Sequence, residues 1–264
     1  MLRPRIRAVL LAMALMAPVA VQAGPLEEGR AAYARGDFAE AALLYRLAAS
    51  DGTPQAQHAL GGLYETGHGV AQDFVLAMNW YRLAADQGMA AAQNSVGLMY
   101  EMGRGVAQDY EEAIRWYLLA AAQNFPAAQN SLGYLNDFGL GLPEDNEEAV
   151  RWYLLAAEQG FADAQNNLAA MYAYGEGVPR SFAEAARWQQ MAAEQGYAIA
   201  QYNLGMMYTT GRGVPRDIVA AYMWFSLAAL QGDADALLRR DTTARLMTPE
   251  QLAEGQRITR DWPT

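Results

Sequence analysis

The chain of 264 residues is predicted to be an all-α solenoid, because three features recur every 36 residues. The first is the position of five of the six tryptophans: Trp80, Trp116, Trp152, Trp188 and Trp224. A glutamine and a pair of glycines keep the same spacing, beginning at Gln57 and at Gly67 with Gly69. A strict period between about 20 and 50 residues indicates a stack of similar supersecondary units rather than one or two ordinary domains.

Each unit is predicted to contain two helices. On the first helix of the first unit, apolar residues follow the spacing i, i+4, i+7, i+8: Ala56, Leu60, Leu63 and Tyr64. On the second helix they follow i, i+3, i+4, i+7: Ala77, Trp80, Tyr81 and Ala84. Both spacings place one apolar stripe on one face of a helix.

Turn and cap residues mark the helix ends. Gly67 stands where the first helix should end, and glycine tolerates the left-handed conformation of such an end. Good N-cap residues open the second helices at Asp73, Asp109, Asp145, Ser181 and Asp217. Asp109, Asp145 and Ser181 are each followed three residues later by Glu, as is Asp37 in the leading segment, which predicts capping boxes. The second helices are predicted to end at Gly88, Asn124, Gly160, Gly196 and Gly232.

Small residues recur inside the first helices, where a glycine costs about 1 kcal/mol. They are Gly61, Gly97, Gly133, Ala169 and Gly205. Their recurrence predicts a close approach by a neighbouring helix or by a tryptophan ring.

The repeats predict the organisation of the whole chain. Five units cover residues 53–88, 89–124, 125–160, 161–196 and 197–232. Residues 24–52 match only partly and are predicted to be an N-terminal capping unit. In residues 233–264 the apolar stripe breaks at Arg240, and Thr248 with Pro249 opens a last helix, so this segment is predicted to be a C-terminal helical cap. Such atypical ends suit a solenoid, whose terminal units need a polar outer face.

Residues 1–23 are predicted to be a secretory signal peptide. Three arginines precede the short apolar run 9–16, and Val21 and Ala23 supply small residues for cleavage. The alternative, a membrane anchor, needs a longer apolar stretch. No Cys follows the run, which excludes a bacterial lipoprotein anchor. Removal of Arg3, Arg5 and Arg7 changes the formal charge from −10 to −13.

Composition excludes several kinds of chemistry. All 19 basic residues are Arg, so a Schiff-base lysine, a Walker phosphate loop and a Ser-x-x-Lys nucleophile are excluded. The absence of Cys excludes disulfides and thiolate sites. The acidic charge argues against nucleic acid as a partner. The Gly-x-Gly loops lack the third glycine and the preceding strand of a dinucleotide site. His58 and His68 do not form a zinc motif, and His58 is predicted to occupy a surface register. No cofactor or metal is predicted.

The repeat resembles a known family. Ala-Gln-x-x-Leu-Gly-x-x-Tyr, then Gly-x-Gly-Val, then Asp-x-x-x-Ala-x-x-Trp-Tyr-x-x-Ala-Ala is similar to the Sel-one-like repeat (SLR), a relative of the tetratricopeptide repeat. Residues 24–52 look more like a plain tetratricopeptide unit. The resemblance implies a right-handed superhelix of antiparallel helix pairs and a non-catalytic scaffold that binds proteins. Four departures lie in units three and four: Asn136, Leu142, Ala169 and Gln189.

The candidate binding site lies on the first helices, which line the concave face in superhelices of this type. Function is expected where the units differ, and the central units carry apolar and aromatic residues beside carboxylates. The candidate partner-binding residues are Leu98, Glu101, Met102, Tyr134, Asp137, Phe138, Tyr174 and Met206. Such a surface suits a protein or extended peptide with apolar anchors and basic flanks. The structural alternative is packing between helix ends of neighbouring units.

Three functions follow from these features. The leading hypothesis is an exported adaptor that binds a protein through its concave face and is not inserted in the membrane after signal cleavage. Its expected location is the periplasm, with secretion as the alternative. The second is an envelope regulator that binds the extracytoplasmic domain of a membrane sensor. The third, a cell-wall or β-lactam hydrolase, is disfavoured because the chain lacks an activated nucleophile.

Overall fold

A computed structural model describes residues 23–263, and all regular elements in this range are helices. They are α1 (Pro25–Ala34), α2 (Phe38–Ser50), α3 (Pro54–Thr66), α4 (Phe74–Ala85), α5 (Ala90–Met102), α6 (Tyr110–Ala121), α7 (Pro126–Asp137), α8 (Asn146–Glu158), α9 (Ala162–Tyr174), α10 (Phe182–Glu194), α11 (Ala198–Thr210), α12 (Ile218–Leu230), α13 (Ala234–Ala244) and α14 (Pro249–Asp261). Successive helices pack against one another from α1 to α13, and α14 folds back onto α12. The predicted all-α solenoid of helix pairs is confirmed.

The predicted signal peptide falls almost entirely on residues 1–22, which lie outside the described residues, so it stays a prediction. Within residues 23–263, no helix combines the length and the apolar character needed to cross a lipid bilayer.

The helix ends follow the predicted pattern with one correction. Gly67, Gly103, Gly175 and Gly211 end the first helices in the left-handed conformation, and each predicted N-cap side chain of units one to five accepts a backbone N–H. The predicted capping boxes are incomplete, because Glu112, Glu148 and Glu184 form ion pairs with arginines three residues further on. Asp37 does not cap α2, because both it and Glu40 bind Arg35. Within residues 23–263, only Thr248 and Gln251 form a reciprocal capping box.

A tyrosine ring, and not a tryptophan ring, occupies the space beside the helical glycines. A Cβ atom placed on Gly97 would lie 2.6 Å from the Tyr117 ring, and Gly61 and Gly133 face Tyr81 and Tyr153 in the same way. The glycines therefore allow a ring from the second helix to contact the backbone of the first. The burial of the tryptophans varies along the array: Trp116, Trp188 and Trp224 are buried, whereas Trp80 and Trp152 are only partly buried.

The recurring glutamines connect neighbouring units through buried hydrogen bonds. Gln57 donates to the Ala49 carbonyl of the preceding unit at 3.3 Å, and its Oε1 accepts a bond from Gln87 Nε2 at 2.7 Å. The same pair of glutamines, thirty residues apart, is bonded in every later unit. Because buried polar groups need partners, these side chains favour one register between the units.

The second glycine of each Gly-x-Gly loop lies against the preceding unit. A Cβ atom on Gly69, Gly105, Gly177 or Gly213 would lie within 3.0 Å of the main chain at the start of the preceding second helix. The loop therefore serves a close approach between units, which accounts for its recurrence without a phosphate ligand.

Candidate protein-binding face

The first helices α3, α5, α7, α9 and α11 lie side by side and form a continuous surface, which we call the first-helix face. Polar side chains link these helices across the unit boundaries. His58 Nε2 lies 3.0 Å from Ser95 Oγ, and Asn167 Nδ2 donates to Asn130 Oδ1 at 3.0 Å. Asn203 Nδ2 donates to Asn166 Oδ1 at 3.2 Å. The resemblance places this face on the concave side of the superhelix.

His58 is therefore more enclosed than the surface register predicted for it. Its hydrogen bond to Ser95 and its burial on the first-helix face give it a structural role, and burial lowers the pKa of its imidazole. Within residues 23–263, no group of three or more His, Asp or Glu side chains is arranged to hold a metal ion.

Four of the predicted partner-binding residues are exposed at or just after the C-terminal ends of α5, α7 and α9, and we call them the aromatic strip. Met102, Tyr134, Phe138 and Tyr174 are exposed by 50%, 40%, 59% and 74%. The rings of Tyr134 and Phe138 are in contact, with centroids 4.6 Å apart. Exposed apolar residues that adjoin one another are typical of interaction surfaces, whereas scattered ones are not.

The remaining apolar candidates are less accessible. Leu98 is partly buried and packs on the core cluster around Tyr117 and Leu132. Met206 is also partly buried and lines a cleft at the end of the aromatic strip. The structure thus places Leu98 in a supporting position and Met206 at the edge of an open cleft.

The predicted carboxylates have structural partners that the sequence reasoning missed. Tyr117 donates its hydroxyl to Glu101 at 2.6 Å, and Tyr153 donates to Asp137 at 3.3 Å. Tyr81 makes the same bond to Glu65 in unit one. Burial raises the pKa of the Asp137 carboxyl, the hydrogen bond from Tyr153 partly offsets this, and the nearby charges of Glu176 and Glu144 add to the increase. Glu101 and Asp137 remain partly exposed, so they still contribute negative charge beside the aromatic strip.

Unit four departs from this arrangement at three positions. The helical glycine becomes Ala169, the tyrosine becomes Gln189 and the carboxylate becomes Ala173. The first two changes depend on each other, because the Cβ atom of Ala169 would collide with a tyrosine ring at position 189. The result is a cleft of about 270 Å³ between units four and five. Its walls include Ala169, Ala173, Tyr174, Phe182, Gln189, Met206 and Arg212.

The fold defines a class of protein: a helical-repeat protein whose first helices lie side by side. The family model of the Sel1 repeat matches residues 12–53, 54–89, 90–125, 126–161, 162–197 and 198–233. The chain therefore belongs to the Sel1 repeat family. The last five matches are shifted by one residue from the predicted units, and the first covers the segment that resembled a plain tetratricopeptide unit.

Solved structures of Sel1 repeat proteins have the same fold. A Sel1 repeat protein from Oxalobacter formigenes is 31% identical, with a TM-score of 0.74 over 90% of this chain and 97% of its own. Protein c5321, a protective antigen of uropathogenic Escherichia coli, is 35% identical with a TM-score of 0.74. That match covers 90% of this chain but only 53% of the E. coli protein. The immunity protein Pa5087 from Pseudomonas aeruginosa, 22% identical, shares the fold with a TM-score of 0.57, over 79% of this chain and 83% of its own. No curated protein is significantly similar to the chain.

Sel1 repeat proteins generally mediate interactions between proteins and are typically non-catalytic. This general role agrees with the binding function that the sequence predicts.

Proposed function

We propose that this protein is an exported, non-catalytic adaptor that binds a protein or extended peptide through the aromatic strip on its first-helix face. The observation that carries the proposal is the contact between the exposed Tyr134 and Phe138 rings in the middle of the array. Two rigid aromatic side chains offer a large apolar area at little cost in conformational entropy. Such anchors usually supply most of the binding energy of an interface.

Replacement of both central rings tests the binding site. We expect Tyr134→Ala with Phe138→Ala to abolish partner capture from an envelope fraction of the native host, because each anchor contributes about 2 kcal/mol or more. The measurement is affinity capture followed by mass spectrometry, with circular dichroism to verify the helical fold. Val75→Ala with Leu83→Ala, a pair of exposed apolar residues on α4, is the matched control. Undiminished capture by the folded aromatic variant would place the site elsewhere.

The same capture distinguishes two kinds of adaptor. One dominant partner with an extracytoplasmic domain favours an envelope regulator that binds a membrane sensor. Several unrelated partners favour a general adaptor in the periplasm.

The carboxylates beside the strip are proposed to attract basic flanks of the partner. We expect Glu101→Gln with Asp137→Asn to weaken capture about tenfold at low salt and much less at 0.5 M salt, because salt screens exposed charges. A nearby cation favours the charged form of Asp137, whose pKa is raised. Binding should therefore strengthen as the pH rises through the pKa of Asp137 and lose this dependence in Asp137→Asn. An equal loss of capture at both salt concentrations would contradict the electrostatic role.

Export is proposed from the basic, apolar and small-residue order of residues 1–23. We expect N-terminal sequencing of the protein from the periplasmic fraction of its native host to begin at Gly24. Recovery of the chain with Met1 from the cytosol would contradict export and leave the binding site untouched.

A further inference from the structure

The cleft between units four and five lies where three other units hold a tyrosine ring. In units one to three, a ring from the second helix lies against a glycine of the first helix, and its hydroxyl binds a carboxylate one turn further on. In unit four, Ala169, Gln189 and Ala173 supply neither the ring nor the carboxylate. The space of about 270 Å³ is open at the surface beside Tyr174. A cavity of about 150 Å³ already holds a benzene molecule, so one aromatic side chain fits here.

Gln189 lines this cleft and carries a buried acceptor at its base. Its side chain is 6% exposed, and its Nε2 donates to Asn166 Oδ1 at 3.1 Å. Its Oε1 is buried and has no hydrogen-bond partner among the described residues. Nearly all buried acceptors in proteins have a partner, so a ligand that brings a hydroxyl or an N–H to this oxygen is favoured.

Arg212 presents a positive charge to the same cleft. In the first junction, Arg104 at the corresponding register forms an ion pair with Glu65 at 3.2 Å. At Arg212 the corresponding carboxylate is replaced by Ala173, and within residues 23–263 no acidic side chain lies within 4.0 Å of the guanidinium. The guanidinium instead lies 5.7 Å from the centre of the Phe182 ring. It is therefore available for an anionic group of a ligand.

We propose that this cleft binds a tyrosine side chain of the partner polypeptide together with an adjacent carboxylate. The ring fills the space between Ala169, Ala173 and Met206, its hydroxyl donates to Gln189 Oε1, and the carboxylate pairs with Arg212. The ligand thereby supplies the two groups that unit four lacks and that units one to three contain. This inference rests on the proposed function, because it names the group that binds at one end of the aromatic strip.

The charges along the first-helix face give the bound segment a direction. The register that holds Glu65, Glu101 and Asp137 in units one to three holds Ala173 and Thr209 in units four and five. The carboxylates thus lie beside the unit-two and unit-three residues of the aromatic strip, whereas Arg212 lies in the cleft beside Tyr174 at its other end. A partner with basic residues before or after its Tyr–acid pair binds in a single orientation, since the reverse orientation brings like charges together.

A dipeptide titration tests the cleft directly. The probe is N-acetyl-Tyr-Glu amide, added to the ¹⁵N-labelled full chain, and the readout is the side-chain amide signal of Gln189. We expect a saturable shift with this probe and none with N-acetyl-Ala-Glu amide. The probe N-acetyl-Tyr-Gln amide should bind about tenfold more weakly, because it lacks the charge that pairs with Arg212. Absence of a shift with the Tyr-Glu probe would overturn the proposal.

Two variants locate the binding. Ala169→Gly with Gln189→Tyr rebuilds in unit four the pair that units one to three contain, and thus fills the cleft without introducing a new kind of contact. We expect this variant to fold and not to bind the Tyr-Glu probe. Because it lacks the Gln189 side chain, binding is measured from the backbone amide signal of Ala173. Arg212→Gln should remove the preference for Tyr-Glu over Tyr-Gln. Arg180→Gln, which alters the arginine 5.7 Å from the same Phe182 ring but outside the cleft, is the control.

The outcomes separate this inference from the proposed function. Unchanged probe binding by the filled variant or by Arg212→Gln would overturn the cleft proposal. Partner capture that survives in the filled variant but is lost in Tyr134→Ala with Phe138→Ala would also overturn it, while supporting the aromatic strip. Capture that survives in the double aromatic variant would contradict the proposed function. The dipeptide titration would then decide the cleft proposal by itself.

Discussion

Tyr117→Ala is expected to lower the free energy of unfolding by about 3–5 kcal/mol, the range for removal of a buried aromatic ring. Tyr117 is fully buried, and its ring lies against the backbone at Gly97. Because a glycine lines this contact, no neighbouring side chain on α5 is placed to fill the space that the ring leaves. Equilibrium unfolding in denaturant, followed by circular dichroism, measures the loss.

Tyr117→Phe separates the ring from the hydroxyl. We expect it to cost only about 1 kcal/mol, because it removes one hydrogen bond to Glu101 and keeps the packing. Unit five supports this expectation, since Phe225 occupies the same register there and Thr209 replaces the carboxylate. A loss from Tyr117→Phe as large as that from Tyr117→Ala would show that the hydroxyl, and not the ring, carries the stability.

The tyrosines also predict how stability depends on pH. Burial raises the pKa of Tyr117 in the folded protein, as it does for Tyr81 and Tyr153. The folded state therefore retains protons that the unfolded state releases near pH 10. The contribution of these tyrosines to the free energy of unfolding is complete below about pH 10 and is lost as the pH rises above it. Tyr117→Phe should reduce the steepness of this alkaline loss.

The fold was predictable because its signals are local and repeat. The spacing of Leu60 and Leu63 on one helix and of Tyr81 on the next is visible within a single unit, and each N-cap lies beside the helix that it caps. Recurrence at a constant period multiplies weak local signals into a strong one. The capping boxes failed for an equally local reason, since an arginine three residues after each glutamate competes for its carboxylate.

The partner of the helical glycine could not be predicted from spacing alone. Whether Gly97 faces Trp116 or Tyr117 depends on the rotation of one helix against another, and the sequence pattern leaves that rotation open. The differences between units indicate the tyrosine, because in unit four the glycine and the tyrosine are both replaced, by Ala169 and Gln189, whereas Trp188 is kept. The same comparison would have paired Glu101 with Tyr117, since Ala173 accompanies Gln189.

The candidate site was predictable where exposure follows from helix position. Met102, Phe138 and Tyr174 lie at the ends of first helices, and the structure shows all three exposed. Leu98 lies earlier on its helix and packs on the core cluster shared by units two and three, a contact that depends on the angle between units. The cleft beside Met206 was not predicted, because it arises from three small departures on two helices, Ala169 and Ala173 on α9 and Gln189 on α10, whose contact depends on how the helices pack.

Gly105→Ala is expected to reduce stability by at least about 3 kcal/mol and to separate the unfolding of unit one from that of the rest. Gly105 has a φ of +69°, a left-handed conformation that costs an L-residue about 1–2 kcal/mol. A Cβ atom at this position would also lie within 3.0 Å of the Phe74 carbonyl at the start of α4. Neither the added Cβ atom nor the Phe74 carbonyl can move by a side-chain rotation, so the contact is relieved only if the two units move apart.

Gly88→Ala is the matched control for this prediction. Gly88 has a φ of +85°, but a Cβ atom there would meet no atom within 4 Å. Its replacement should cost only the conformational part, about 1–2 kcal/mol, and unfolding should remain a single transition. Since each unit of a solenoid is stabilised mainly by its neighbours, a weakened junction should divide the transition whereas a strained turn should not. Similar losses and single transitions for both variants in calorimetry would show that the close approach of Gly105 to Phe74 does not hold the units together.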